Sequence, residues 1–186
     1  TEDSATLYGS QSGSLTRVDT INASNGTPTN GAMTNPAVEL YEMTGPNTAP
    51  APDPVSYYAA NGTTTLYKVN PATSLVTPVA GVAPFTFNTL AYDQTAGIVY
   101  LVANTDSSTR LAKYTIATGA FSIIGQFIDK AWSGLTIPIR PMSLVAYQGA
   151  LYYVRRSTTT AERDDLIRIT FTSAGAIATQ SKVADI

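Results

Sequence analysis

Short apolar runs separated by polar turns recur along most of the chain. Four of them share one order, in which an apolar–Tyr or Tyr–Tyr pair is followed by a turn and a Leu-x-[Arg/Lys]-apolar segment. The pairs are Leu7-Tyr8, Tyr57-Tyr58, Val99-Tyr100 and Leu151-Tyr152, and the segments begin at Leu15, Leu66, Leu111 and Leu166. β-Branched and aromatic residues bounded by Asn-Gly, Asn-Pro and Thr-Gly are typical of β-hairpins. The pattern therefore predicts four copies of one hairpin unit and almost no helix.

Each unit extends beyond its hairpin. A further apolar strand precedes the Tyr strand at residues 89–93 and at residues 142–147, and another strand follows the Leu-x-[Arg/Lys] segment. Four antiparallel strands that recur every 42–52 residues are typical of the blades of a β-propeller. We expect an all-β, propeller-like fold with about four four-stranded blades, as a small ring or an open arc. A β-sandwich is the alternative, but it has no reason to repeat one local sequence four times.

Two segments interrupt the repeat within what we expect to be a single domain over residues 1–186. Residues 31–54 carry five prolines, which hold the chain extended and remove ladder donors, although residues 37–43 are a candidate leading strand for the second blade. Residues 128–141 contain the only tryptophan. Long insertions on a rigid scaffold often contain the residues that bind a ligand or a partner.

The first unit begins at its Tyr strand, so its leading strand must come from elsewhere. The C-terminal segment Val183–Ile186 is a candidate, although it is short. Otherwise the arc is completed by a continuation of the chain or by another chain, because open sheet edges are normally covered.

The segments Leu66–Thr73 and Thr89–Asp93 resemble the blades of secreted bacterial propellers of the lactonase-like and NHL-like type. Those families read roughly as apolar-Tyr, then Leu-Tyr-Arg-Val-Asp-Pro-x-Thr-Gly, then Leu-Ala-Tyr-Asp. The resemblance extends from Leu7 to about Val183. It implies a blade architecture and says little about activity, because such repeats carry binding, scaffold and lyase functions alike. Family members commonly have more than four blades.

The amino-acid composition of the chain argues against several classes of function. Only 13% of the residues are charged and the net charge is −2, so the chain has no basic footprint for nucleic acid. The absence of cysteine and histidine excludes disulfides and thiolate ligands, and removes the commonest general base. No apolar run approaches the ~20 residues of a membrane-spanning helix. Low charge and the start Thr-Glu-Asp-Ser-Ala fit an exported protein, periplasmic or extracellular.

The basic residues of the repeat form the first candidate site. They would surround an axis if the blades are equivalent, and could then hold an anion. The favoured interpretation is structural, with each base pairing locally or with a neighbouring blade. The set is Arg17, Lys68, Lys113 and Arg168.

The second candidate is a protein interface at the insertions and at a paired-arginine patch. Its residues are Tyr41, Met43, Trp132, Ile137, Arg140, Arg155 and Arg156. The acidic run 162–165 lacks the pattern of a calcium loop and is predicted to be a solvated hairpin tip.

We identify no catalytic, cofactor-binding or metal-binding residues. Nucleophilic hydrolysis needs a positioned base, and neither histidine nor a Gly-x-Ser-x-Gly motif is present. The sequence therefore predicts a non-enzymatic exported propeller that binds other protein chains or acts as a structural subunit. A glycan- or small-ligand-binding propeller is the alternative, and a hydrolase or lyase is the least favoured.

Overall fold

The computed structural model describes residues 6–11, 17–22, 27–29, 42–44, 57–105, 108–127, 143–155 and 164–186, and for the strands before residue 57 it describes the backbone. Within these ranges the chain forms fifteen β-strands and no helix. The strands assemble into four antiparallel sheets, and each sheet follows the order of the chain. The prediction of an all-β fold built from hairpin units is therefore confirmed.

The first two sheets use the N-terminal strands. The first sheet contains β1 (Thr6–Gln11), β2 (Arg17–Asn22) and β3 (Pro28–Thr29). The second contains β4 (Glu42–Thr44), β5 (Tyr57–Ala60), β6 (Leu66–Asn70) and β7 (Leu75–Pro78). Strand β4 overlaps the end of the predicted leading strand at 37–43 and pairs with β5. The rest of that insertion lies outside the described residues.

The last two sheets are complete four-stranded blades. The third contains β8 (Thr86–Asp93), β9 (Ile98–Thr105), β10 (Ser108–Thr115) and β11 (Ala120–Gln126). The fourth contains β12 (Leu144–Tyr147), β13 (Ala150–Arg155), β14 (Asp165–Phe171) and β15 (Ile177–Asp185). Both predicted leading strands are present, as β8 and β12. The insertion at 128–141 lies outside the described residues.

Turn chemistry ends the third strand of the second and third sheets. The Asn70 side chain accepts a hydrogen bond from the Ala72 amide at 3.0 Å and so starts the turn after β6. That turn ends at Ser74, and the turn after β10 ends at Gly119, with φ angles of 54° and 66°. Because a left-handed residue is needed just before the last strand, glycine fits there without steric cost.

The repeat is visible in the pairing register of the last three sheets. The tyrosine of the second strand lies directly opposite the base of the third strand in each of them. The pairs are Tyr58 with Lys68, Tyr100 with Lys113, and Tyr152 with Arg168. In the first sheet Arg17 lies opposite Gln11 instead of Tyr8. The strand Tyr8-Gly9-Ser10-Gln11 has no apolar alternation, and such strands specify register weakly.

The sheets pack face to face in chain order. One apolar core lies between the second and third sheets and includes Leu66, Phe87 and Leu101. A second lies between the third and fourth sheets and includes Leu111 and Ile169. The third sheet is therefore buried on both faces.

The leading strands mark the inner side of the arc. Strand β8 contacts both β4 and β12, so the first strands of successive sheets lie next to one another. Strands β7, β11 and β15 are the opposite edges of their sheets. This arrangement of radially stacked four-stranded sheets is that of propeller blades rather than of a two-sheet sandwich.

The sheets do not close into a ring. The candidate segment Val183–Ile186 does not supply the leading strand of the first sheet, because residues up to Asp185 belong to β15 and pair with β14. The amide of Ile186 donates to the carbonyl of Asp164 at 2.8 Å, which keeps the chain end at the fourth sheet. The described part of the chain is thus an open arc.

Candidate functional site

The second and third sheets each have a forward face, directed toward the next sheet along the chain, and the repeat tyrosine lies on it. In the second sheet this face carries Tyr58, Ala60 and Leu66, which are buried in the core shared with the third sheet. In the third sheet the equivalent residues Tyr100 and Val102, with Leu111, are buried beneath the fourth sheet. The forward face is therefore the surface on which the next blade packs.

The fourth sheet presents the same face without a cover. Val145 and Tyr147 are each 53% exposed. Tyr152, Val154 and Leu166 are partly exposed, although their equivalents in the third sheet are buried. We call these five residues the open face. No sheet of the described part of the chain lies on it.

Residue-by-residue equivalence follows from the pairing register. Val145 pairs with Tyr152 as Ala91 pairs with Tyr100. Ala91 is buried at 2% exposure. The open face therefore occupies the same positions in the repeat as residues that are buried between sheets elsewhere in the described part of the chain.

Aromatic contacts cross each covered forward face. The ring of Tyr58 meets that of Tyr92 edge-on, with centroids 5.1 Å apart. The ring of Tyr100 stacks on Phe171 of the fourth sheet at 5.1 Å, with the planes 10° apart. Such pairs add about 0.5–1.5 kcal/mol to the burial of the rings. Tyr152 is the third member of the series, and no ring among the described residues stacks on it.

Burial also changes the acidity of the covered tyrosines. It raises the pKa of Tyr58 to about 12, with smaller contributions from the neighbouring Tyr92 and Tyr114. It raises the pKa of Tyr100 to about 12 as well, and the nearby Asp93 carboxylate adds to this. Desolvation disfavours the charged phenolate, so these hydroxyls stay protonated through the physiological range.

The basic residues of the repeat lie on the third strand of the second, third and fourth sheets, as Lys68, Lys113 and Arg168. These strands are separated by the second strand from the leading strands at the inner side of the arc. The Nζ atom of Lys113 lies 3.2 Å from the position that a Cβ on Gly175 would take. Lys113 therefore reaches from the third sheet to the β14–β15 turn of the fourth. The ring of four cations stays a prediction, as does any ligand for it, since the side chain of Arg17 lies outside the described residues.

Arg168 is the base of the last sheet and is exposed beside the open face. Its register partner is Tyr152, as Tyr100 is the partner of Lys113.

Arg155 has a partner within its own sheet. Its Nε atom donates to the Asp165 carboxylate at 3.0 Å, and Lys182 Nζ lies 2.8 Å from the other oxygen. The hydrogen bonds from Lys182 and Arg155 lower the pKa of Asp165 to about 2. Arg155 is 8% exposed, so its guanidinium is engaged at the base of this hairpin. An interface role for Arg155 stays a prediction. Asp165 itself is ion-paired rather than part of a solvated tip.

Five further residues of the predicted interface lie outside the described residues, so their role stays a prediction. They are Tyr41, Trp132, Ile137, Arg140 and Arg156.

Met43 lies on β4 opposite Ala59, and its backbone alone is described. The open face was missed by sequence reasoning, although the uninterrupted apolar run Leu144-Val145-Ala146-Tyr147 contained the signal. A leading strand with apolar residues at every position is suited to burial on both faces.

Within the described ranges, no group of His, Cys, Asp or Glu is arranged to hold a metal ion. No helix among the described residues is long and apolar enough to cross a membrane.

Solved structures share this fold at low sequence identity. An alpha-L-arabinofuranosidase from Clostridium thermocellum matches with a TM-score of 0.60 and 14% identity, over 97% of this chain and 69% of that protein. A protein from Lactobacillus plantarum matches with a TM-score of 0.56 and 15% identity, over 100% and 55%. A putative 6-phosphogluconolactonase from Bacteroides uniformis matches with a TM-score of 0.53 and 10% identity, over 100% and 57%.

These neighbours are β-propeller proteins, and the predicted propeller fold is confirmed. The chain spans little more than half the length of the second and third of them. No protein-family model matches the chain, and no curated protein matches it. The narrower resemblance to lactonase-like and NHL-like families stays a prediction.

Proposed function

We propose that this chain is a non-enzymatic β-propeller module that binds other protein chains, as a binding or structural subunit of an exported assembly. One observation carries the proposal: the open face has the pattern of a buried inter-sheet surface, and no sheet among the described residues lies on it. Contiguous exposed apolar surface is typical of protein interaction sites.

The energetic argument follows from the covered copies of this face. Fully burying a large apolar side chain contributes about 1.5–3 kcal/mol. The open face offers Val145, Tyr147, Tyr152, Val154 and Leu166 to a partner, and all five are at least partly exposed. Because all five are already partly buried, binding gains only part of that amount at each of them, and their burial favours association without setting its affinity.

The residue types on this surface also favour a protein partner. Tyrosine and arginine are enriched at the residues that dominate binding energy in interfaces. Tyr152 lies between Val145 and Arg168 in one row across the fourth sheet, and Tyr147 is two residues from Val145 on the same strand.

Two of the neighbours are named as enzymes, but their sequences are only 14% and 10% identical to this chain. At that identity the similarity supports a shared fold and no shared reaction. Among the described carboxylates, Asp93 is buried and accepts the Ala96 amide at 3.0 Å. Asp165 is held by its two cationic partners. Neither is positioned as one of a free pair of carboxylates, which glycoside hydrolysis requires. A hydrolase or lyase, and a glycan-binding role, are therefore less favoured.

The test compares two lysine substitutions at exposed valines. Val145→Lys introduces a charge into the open face. Val82→Lys places the same charge in the loop that connects β7 to β8, where Val82 is 69% exposed. Affinity capture from the native envelope and secreted fractions should recover a stoichiometric protein partner with the wild type and with Val82→Lys, but not with Val145→Lys.

Turnover of a panel of glycosides and lactones is measured in parallel. Turnover abolished by one carboxylate substitution would identify an enzyme and exclude the proposed function. Equal capture by both lysine variants would show that the open face is not the binding surface.

A further inference from the structure

We propose that Asn61 is a modification site, at which the turn between β5 and β6 promotes its own deamidation. The backbone nitrogen of Gly62 attacks the side-chain carbonyl carbon of Asn61, and ammonia leaves. Both residues are partly exposed, so water reaches the site. The modification is independent of the proposed binding function, because this turn belongs to the second sheet and the open face to the fourth.

The nucleophile is the backbone amide of Gly62. Glycine has no Cβ, so its nitrogen meets little steric hindrance when it approaches the side chain of the preceding residue. Gly62 has a φ angle of 78°, a left-handed conformation that favours glycine at this position. No described residue accepts a hydrogen bond from its amide. The nitrogen is therefore available for the attack.

Two donors converge on the oxygen that gains negative charge during the attack. The Thr63 hydroxyl donates to Oδ1 of Asn61 at 2.6 Å, and the Thr63 backbone amide donates to the same atom at 3.3 Å. Because a backbone N–H can only donate, the acceptor is the oxygen of the Asn61 amide and not its nitrogen. The Thr65 amide donates in turn to the Thr63 hydroxyl oxygen at 3.2 Å, which directs the hydroxyl proton toward Asn61.

This arrangement resembles an oxyanion hole in its chemistry. Donors that are already in place where an oxyanion develops lower the barrier to attack on a carbonyl carbon. The same hydrogen bonds polarise the Asn61 side-chain carbonyl and make Cγ more electrophilic. The turn therefore does more than place a glycine after an asparagine.

The reaction has two steps and needs only water as co-reactant. After the Gly62 amide loses its proton to solvent, its nitrogen bonds to Cγ of Asn61 and the bond from Cγ to Nδ2 breaks. The leaving nitrogen takes up a proton from solvent and departs as ammonia, so that a five-membered succinimide remains. Water then adds to one of the two imide carbonyls and opens the ring. The product at position 61 is aspartate or isoaspartate, each with one negative charge more than asparagine.

The modified turn holds the connection between the second and third sheets. The Thr63 carbonyl accepts from the Phe87 amide at 3.1 Å, and the Thr64 carbonyl accepts from the Ala83 amide at 3.0 Å. Phe87 and Ala83 are buried in the core between these sheets. Isoaspartate adds a methylene group to the backbone just before these acceptors and shifts them. The isoaspartate form should therefore have a thermal midpoint about 2–4 °C lower, as expected for the loss of one hydrogen bond.

The first experiment measures the rate of deamidation in the folded full chain at mildly alkaline pH. Peptide mapping with electron-transfer fragmentation detects the gain of about 1 Da and separates aspartate from isoaspartate. Thr63→Val keeps the shape of the side chain without its hydroxyl and should slow conversion of Asn61 about tenfold, less than in a buried enzyme site because the turn is open to water. Thr63→Ser keeps the hydroxyl and should stay within about twofold of the wild type.

Two controls separate the folded turn from the local sequence. Asn25 and Asn30 also precede glycines and lie outside the described residues, so their rates should be the same in all variants. In concentrated urea the turn is absent, and the wild type and Thr63→Val should convert at equal rates at Asn61. Circular dichroism checks that each variant keeps its β structure in native buffer.

Several results would overturn the proposal. Equal rates for the wild type and Thr63→Val in native buffer would show that the hydroxyl does not promote the reaction, and a faster rate in Thr63→Val would show that it protects Asn61. A Thr63→Ser variant as slow as Thr63→Val, or a difference that persists in urea, would assign the effect to something other than this hydrogen bond. An isoaspartate form, isolated by ion exchange, with an unchanged thermal midpoint would contradict the effect on the sheet junction. Each of these results leaves the binding function, which is tested at Val145, intact.

Discussion

The equivalence between covered and open faces predicts a large difference between two tyrosines that occupy the same place in the repeat. Tyr100 is 7% exposed and stacks on Phe171, whereas Tyr152 is partly exposed on the open face. Truncating each to alanine should therefore have unequal effects on the free energy of unfolding. The pair tests whether the arc ends where the fourth sheet ends.

The magnitude for Tyr100→Ala follows from its surroundings. An aromatic side chain buries about 150–250 Å² and contributes roughly 25 cal/mol per Å², part of which alanine retains. Adding the lost ring stacking and the cavity, we expect about 3–4 kcal/mol of destabilisation. Tyr152→Ala should cost about 1 kcal/mol or less in the isolated chain, as substitutions at partly exposed positions do.

Urea unfolding followed by far-UV circular dichroism at the lowest practical protein concentration measures both values. Tyr100→Phe is the control, because it keeps the ring and should cost less than about 1 kcal/mol. Equal costs for Tyr100→Ala and Tyr152→Ala in dilute solution would refute the reasoning, because Tyr152 would then be covered within one chain.

Three further predictions concern ion pairing, acidity and close packing. The pKa of Asp165 is lowered to about 2, so its contribution is present above its ordinary value of 3.8 and is lost as the pH falls through about 2. Asp165→Asn should therefore cost about 1–2 kcal/mol at pH 7 and almost nothing at pH 2, measured by urea titration at both pH values. The pKa values of Tyr58 and Tyr100 are raised to about 12, so the stability that they provide is complete below pH 10 and is lost as the pH rises to about 12. The double Tyr→Phe variant should show a shallower decline of thermal midpoint across that range. A Cβ at Gly125 would lie 2.9 Å from Cδ1 of Ile177, a terminal methyl that can rotate away, so Gly125→Ala should cost less than about 1 kcal/mol, and Ile177→Val should remove that cost in a double-mutant cycle.

A specific result would contradict each of these three predictions. An Asp165→Asn penalty that is the same at pH 2 and pH 7 would assign the effect to packing rather than to charge. A Tyr→Phe variant with an unchanged alkaline decline would place the titrating groups elsewhere. Additive effects of Gly125→Ala and Ile177→Val would show that the two residues do not share a contact.

The hairpin units were predictable because their signals are local. The alternation of apolar and polar residues selects the face of each strand, and the turn residues set where strands end. The Tyr and Leu-x-[Arg/Lys] motifs therefore predicted β5, β6, β9, β10, β13 and β14 and the order in which they pair. The same logic failed for the register of the first sheet, where polar residues after Tyr8 provide no alternation.

Contacts between distant parts of the chain were not predictable in this way. The short strand β4 arises in a proline-rich segment because β5 offers it an edge, and only part of the candidate strand is used. Asp165 and Lys182 meet because a nine-residue β15 folds back along β14, which also removes the C-terminus from any role in closing the first sheet. Such outcomes depend on competition between alternative partners for the same strand.

The sequence by itself determined the blade: its strands, its turns and the residue types on each of its faces, since these follow from periodicity and turn chemistry within about fifty residues. It also marked Tyr58, Tyr100 and Tyr152 as equivalent. Only the tertiary structure decided that two of these tyrosines are covered and that the third is open. The physical reason is that burial depends on the neighbouring sheet, and identical faces become core or surface according to where the arc stops.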